Sequence, residues 1–252
     1  MSGAGSHGAD VQTDPKYYAV TEGTWPCYRS FSLGPVTLRE GQGGGSRVSA
    51  ATVEGGTATE AEIATAETAM REMGQDPLFM IRDGEDSLDA HLAARGYVVK
   101  DPVVLWTCPV DHLCDIDIPP VTAFCVWEPL AIQHEIWAQG GIGPERFAVM
   151  QRAKGPKTAL LGRWDDSPAG TGFLAIHDGV AMVHALEILP HQRRKGMAAW
   201  LMRRAARWAA EQGAQELAVL CTKANEGANG LYASLGMTVA GRYHYRHNPE
   251  GV

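Results

Sequence analysis

Apolar residues recur at helical spacing in two alanine-rich stretches, and in short runs or alternation on either side of them. In the first stretch Ile63, Ala66, Met70 and Met73 form a stripe that starts after a Thr59/Glu62 capping box and stops at Gly74. In the second, Leu201, Ala205 and Trp208 make the stripe, Arg203, Arg207 and Glu211 face water, and Gly213 supplies the stop. Each stripe is followed by a strand, a short helix, a glycine and another strand, over 77–106 and 216–246. Placing Gly96 on Gly236 gives an offset of 140 residues, which also puts Phe79 on Val219, Leu88 on Ala228 and Leu92 on Tyr232. Strands are expected before each helix as well, over 47–53 and 180–188. Helical segments alternating with short strands predict an α/β protein made of two related halves, each a mixed, partly parallel sheet flanked by helices.

The chain has 252 residues, 45% of them hydrophobic and 20% charged, which suits one large or two small folded domains and excludes wholesale disorder. We place a disordered tail at 1–15, one domain at 16–115 and a second at 116–252, joined through the proline-bounded segment 109–120. A net charge of −7 argues against a broad nucleic-acid or anionic-membrane surface, so any anion site must be local. No run reaches the roughly 18 apolar residues of a membrane span, and the amino terminus lacks a signal peptide's apolar core. Five scattered cysteines predict reduced thiols in a cytoplasm. Cys108, His112 and Cys114 lack a second ligand pair at zinc spacing, so no metal is expected. The glycines at 41–45 lead into an apparent strand rather than a helix, and a hairpin turn is the better reading than a phosphate loop.

The densest chemistry lies in 183–198, where a strand ends at Pro190, a loop supplies Arg193, Arg194 and Lys195, and Gly196, Met197 and Ala198 open the long helix. The first turn of a helix presents unpaired N–H groups and the positive end of its dipole, and small residues there let an anion reach the backbone. Arg193-Arg194-Lys195-Gly196-Met197-Ala198 resembles the Arg/Gln-x-x-Gly-x-Gly/Ala signature of the GCN5-related N-acetyltransferases, the GNAT superfamily. Downstream, Asn225, Ala228, Leu231 and Tyr232 followed by Gly236 look like the family's second motif. The likeness covers residues 121–252 well and the first half in outline, so the chain resembles a tandem GNAT protein.

That resemblance implies acetyl-CoA as co-substrate, with 193–198 holding its pyrophosphate, the backbones of Ile188 and Leu189 meeting the pantetheine arm, and Asn225 capping a helix beside it. It implies that Tyr232 protonates the departing thiolate. The first half has Leu92 at that position and no cradle, so it is expected to be a degenerate copy that shapes the substrate cleft. An ammonium acceptor must lose a proton before it attacks a thioester. His184, Glu187 and ordered water are the candidates for taking it. Strand alternation puts His184 and Glu187 on opposite faces unless a bulge intervenes. Tyr243 and Tyr245 fit either an acceptor pocket or an exposed edge strand, and Trp25, Trp127 and Trp137 either pocket or core. The expected activity is acetyl transfer to a primary amine of a small molecule, by a monomer or homodimer. A non-catalytic acyl-CoA-binding module and a transferase using another acyl-CoA are the rivals.

Overall fold

Thr59 does open a helix in the computed structural model, which describes residues 12–249: its hydroxyl accepts from the Glu62 N–H, and the Glu62 carboxylate accepts from the Thr59 N–H. The order of elements is α1 (Lys16–Thr24), β1 (Arg29–Leu33), β2 (Val36–Glu40), α2 (Ser46–Ser49), β3 (Thr52–Val53), α3 (Glu60–Glu72), β4 (Leu78–Arg82), α4 (Asp86–Ala94) and β5 (Val98–Pro109). Then follow β6 (Ala123–Val126), α5 (Ala131–Gln139), α6 (Pro144–Arg152), β7 (Lys157–Trp164), β8 (Ser167–His177), β9 (Val180–Ile188), α7 (Met197–Glu211), β10 (Glu216–Thr222), α8 (Glu226–Ser234) and β11 (Thr238–His247). The inferred repeat is visible in register: α4 and α8 begin and end 140 residues apart, and β5 and β11 begin 140 apart.

The strands form a three-stranded sheet, β1-β2-β3, and an eight-stranded sheet, β4-β11-β5-β10-β9-β8-β7-β6. Within the larger sheet β9 and β10 run parallel and the other pairs antiparallel, giving the expected mixed α/β architecture. A parallel bridge from Ala51 to Phe79 joins the small sheet to β4. The two halves also exchange strands. β5, from the first half, lies between β10 and β11, while β11, the last strand of the second half, lies between β4 and β5.

Separate cores back each long helix. Ile63, Ala66 and Met70 of α3 pack with Val36, Leu38, Phe79 and Leu92. Leu201, Met202, Ala205, Ala206 and Ala209 of α7 pack with Leu160, Leu174, Leu217 and Val219. Small residues let α7 lie close to the sheet: a Cβ at Gly162 would stand 2.5 Å from the Met197 sulfur. Residues 110–113, inside the expected linker, make a 3-10 turn whose Val110 and Leu113 are buried in the α7 core. That segment is packed structure.

Three local expectations are corrected. Residues 47–53 are not one strand, because Ser46–Ser49 coil into a helical turn and only Thr52–Val53 extend. The glycines at 41–45 do turn the chain between the antiparallel strands β2 and β3, the Gly44 N–H donating to the Gly41 carbonyl at 2.9 Å, but they lead into the α2 turn rather than straight into a strand. The tail ends sooner than residue 15: Thr13 is buried, its N–H donates to Asp83 at 2.8 Å and its hydroxyl accepts from the Arg242 N–H at 3.0 Å. The rest of that expected tail, 1–11, lies outside the described residues.

Candidate active site

β9 and β10 pair in parallel only from Val180 and Glu216 to Val183 and Val219, although both strands run on, to Ile188 and Thr222. Past that point they part, and the gap opens into a cavity of about 970 Å³ bounded by β9, β10, the loop before α7, and α8. Unpaired strand backbone along a cleft leaves donors and acceptors for a ligand that can lie between the strands.

A bulge in β9 decides what faces this cavity. Phe173 of β8 pairs with His184 and Thr171 with Glu187, so Gly172 stands opposite both Ala185 and Leu186. Ala185, one of the two residues at the insertion, has a positive φ of 51°. The extra residue resets the alternation, and His184 and Glu187 share one face of the sheet, as the sequence allowed only with a bulge.

At one end of the cavity a 3-10 turn, Pro190–Gln192, leads into a loop in which Arg194 (φ 63°) and Gly196 (φ 84°) are left-handed. α7 then starts at Met197 with no acidic residue in its first turn. Arg193, Arg194, Gly196, Met197 and Ala198 line the cavity. The Met197 side chain is core, so it offers backbone only. Two members of the expected set turn elsewhere: Lys195 Nζ donates to Gln192 Oε1 at 3.0 Å, and the Leu189 N–H donates to the Ala169 carbonyl at 2.9 Å. Neither borders the cavity. Ile188 does, and its carbonyl accepts from Arg193 Nε at 3.0 Å, which steadies that arginine. A helix start with no acidic residue in its first turn, beside two guanidinium groups, fits a diphosphate. The corresponding helix start in the first half is closed by its own Glu62, and so is unsuited to an anion.

Tyr232 is buried on α8 and borders the cavity, its ring 6.3 Å from that of Trp106. Burial, with Cys221 beside it, pushes the phenol's pKa well above its ordinary value, so the hydroxyl keeps its proton. Asn225 caps α8, its Oδ1 accepting from the Ala228 N–H at 3.0 Å, and it too lines the cavity. Leu92, the first-half counterpart of Tyr232, is fully buried in the α3 core.

The two base candidates differ sharply. His184 is buried, with Nδ1 2.9 Å from Arg47 Nη1 and Nε2 2.9 Å from the Thr24 hydroxyl. A guanidinium can only donate, so Nδ1 accepts and Nε2 carries the hydrogen. Burial and the Arg47 charge keep the ring neutral, far below its ordinary pKa. Both nitrogens are engaged, which leaves this histidine no lone pair for an incoming proton. Glu187 is half-buried, lines the cavity, and has its pKa raised by burial despite Arg193 and Arg146 nearby.

The first half adds residues that sequence reasoning left unplaced or passed over. Trp25 lines the cavity with its ring 4.9 Å from that of His184, and Arg47, Asp101, Tyr243 and Tyr245 line it too. The two tyrosines are buried because β11 is an interior strand. Trp137 is core, its Nε1 donating to the Ala185 carbonyl at 2.8 Å and so holding the bulge, and Trp127 packs on Phe173. Arg47 had no signal beyond the glycine run before it.

Residues 127–237 match the family model described as "Acetyltransferase (GNAT) family", a match that lies within the second half of the chain. Among solved structures, a GCN5-related N-acetyltransferase from Kribbella flavida superposes with a TM-score of 0.66 at 21% identity, over 94% of this chain and 95% of that one. A conserved protein of unknown function from Staphylococcus epidermidis gives 0.68 at 10%, over 86% and 92%. A tandem GNAT protein from the clavulanic acid biosynthesis pathway gives 0.60 at 14%, over 78% and 74%. At these identities the likeness is one of fold. No curated protein matches the chain. Among the described residues no helix is long and apolar enough to cross a membrane.

Proposed function

We propose that this protein is an N-acyltransferase that moves acetyl from acetyl-CoA to the primary amine of a small molecule, with a catalytic second half and a first half that has lost its own coenzyme site. One observation carries the reading: the gap between β9 and β10 has an anion-binding helix start at one end and a protonated, buried phenol bordering the same cavity. Arg193, Arg194 and the backbone of 196–198 hold the diphosphate, while the open edge of β9 up to Ile188 meets the pantetheine arm. Glu187 takes the proton from the ammonium acceptor, freeing the lone pair that attacks the thioester carbonyl. Tyr232 gives its proton to the departing thiolate. His184 orients Arg47 and Trp25 rather than acting as base.

Calorimetric titration with acetyl-CoA tests the cradle. Wild type should bind, and Gly196→Asp, which places a carboxylate at the helix start and an L side chain at φ 84°, should lose most of that affinity. Equal affinity would remove the phosphate-loop assignment. Thiol release across a panel of amines tests transfer, and binding with no release from any of them would favour a regulatory acyl-CoA-binding module.

A further inference from the structure

Arginines buried or half-buried in this protein generally have a carboxylate. Arg39 has Glu22, Arg95 has Glu60 and Glu67, and Arg246 has Asp89. Arg152 lacks one, but its Nε donates to the Pro26 carbonyl and it lies away from the cavity. Arg47 is different. It borders the cavity, its Nη1 is spent on His184, and its Nε is buried with no hydrogen-bond partner, an orphan it shares with Arg82, Arg95 and Arg207, each of which has a carboxylate nearby where Arg47 has none. Among the described residues no carboxylate comes within 4.0 Å of it. Asp101 and Glu187, the acidic residues on the same wall, are not paired with it, and Arg146 adds a second guanidinium at the rim, 3.5 Å from where a Cβ would sit on Gly45.

The surroundings hold Arg47 in place. His184 Nδ1 accepts from it, and the Trp25 ring lies 5.9 Å from the guanidinium carbon. His184 is in turn fixed through Thr24, whose hydroxyl donates to the Val20 carbonyl at 2.7 Å. A half-buried cation held this firmly, with its Nε buried and unpartnered, is favoured when an anion meets it. We propose that Arg47 receives a carboxylate that a substrate brings into the cavity, and that this substrate is the acyl acceptor, an amine carrying a carboxylate in the manner of an amino acid. The inference rests on the transferase reading and deepens it. The acceptor's carboxylate seats at Arg47 while its ammonium group is offered to Glu187. The same chemistry could arrive on the donor, as the free carboxylate of a dicarboxylyl-CoA.

Thiol release is measured for wild type and Arg47→Gln with three combinations: acetyl-CoA with α-amino acids, acetyl-CoA with their α-carboxamides, and succinyl-CoA with the carboxamides. Wild type should prefer the acid over its carboxamide by about tenfold to a hundredfold in kcat/KM, the worth of one charge-assisted contact. Arg47→Gln should erase that preference and leave coenzyme A affinity unchanged. An Arg47-dependent gain with succinyl-CoA alone overturns the acceptor assignment and moves the carboxylate to the donor. No discrimination in either arm, or discrimination that survives Arg47→Gln, overturns the proposal. If Arg47→Gln does not fold, Arg47→Met takes its place and is read by the same two criteria, loss of the acid preference with coenzyme A affinity unchanged. If no amine is acetylated, both probe sets are titrated into coenzyme-A-loaded protein. Acid-selective binding that depends on Arg47 then keeps this site while removing the transferase reading, and equal or absent binding overturns the site.

Discussion

Tyr232 occupies a position where two physical effects agree: burial and a neighbouring thiol both oppose ionisation, so the phenol holds its proton at neutral pH, as the proposed acid must. Replacing it with Phe keeps the ring and its packing on Trp106 and removes only the hydroxyl. We expect unchanged acetyl-CoA affinity by calorimetry and a chemical step slower by about a hundredfold or more in single turnover, the usual worth of a positioned acid. Unchanged turnover would reject the role. For Glu187 the sign follows from burial, which raises its pKa above the ordinary carboxylate value. A base must be deprotonated, so kcat/KM should fall as pH drops through that raised pKa, and Glu187→Gln should lower the rate and abolish this acid limb. An acid limb of the same midpoint in Glu187→Gln would assign the proton to another group. That Tyr232 and most of the 193–198 loop border one cavity was legible in the sequence, because each sits in a short motif. The ranking of His184 against Glu187 was not, since it depends on Arg47 and Thr24, which are 137 and 160 residues from His184.

The elements were legible to the extent that their signals are local. The capping box at Thr59, the α7 stripe, and the left-handed glycines at 74 and 213 all rest on contacts within a few residues, and all are present. The β9 bulge depends on pairing with β8, which the alternation of β9 does not record. Over 47–53 the run is too short for its period to separate a helical turn from a strand. A contact between distant elements is testable at α4, whose Asp89 accepts from Arg246 Nε at 2.7 Å and Nη2 at 2.8 Å and lies 2.7 Å from His244 Nε2. These β11 partners, Arg246 foremost, hold the Asp89 carboxyl down at about 2, against 3.8 for an ordinary one. A carboxylate whose pKa is lower in the folded state stabilises it above the unfolded value and loses that contribution as pH falls. Asp89→Asn should therefore cost about 1 kcal/mol at neutral pH, a modest figure because the group is partly exposed. The gap from wild type should close between about pH 4 and 2. A constant gap in urea denaturation across that range would show that the charge is not what matters.

At the scale of the whole molecule the two halves carry matching elements 140 residues apart yet are built into one another. β5 is hydrogen-bonded to β10 from Val103 to Pro109 and to β11 from Val98 to Thr107, so neither half alone can complete its sheet. The interior follows the same rule. Tyr243 and Tyr245 are buried with Ala50, Leu78, Met80 and Val103, and Leu105 with Val180, Met182 and Ala218. Burying side chains of this size contributes roughly 1.5–3 kcal/mol each, so losing the partner half removes several such terms from a domain whose net stability is of order 5–15 kcal/mol. The offset of 140 revealed the repeat but not this exchange, because an interior strand alternates alike whichever strands flank it. A protease site placed after Pro119, in an exposed turn, separates the halves without touching either ladder. The nicked protein should stay associated and unfold in one cooperative transition. Fragments 12–119 and 120–249 made separately should lack a sharp thermal transition until they are mixed. Either fragment melting cooperatively by itself, with a native near-ultraviolet circular dichroism spectrum, would mean that the exchanged strand is dispensable to it, and that the cavity wall carrying Arg47, Tyr243 and Tyr245 is an addition to a self-sufficient domain.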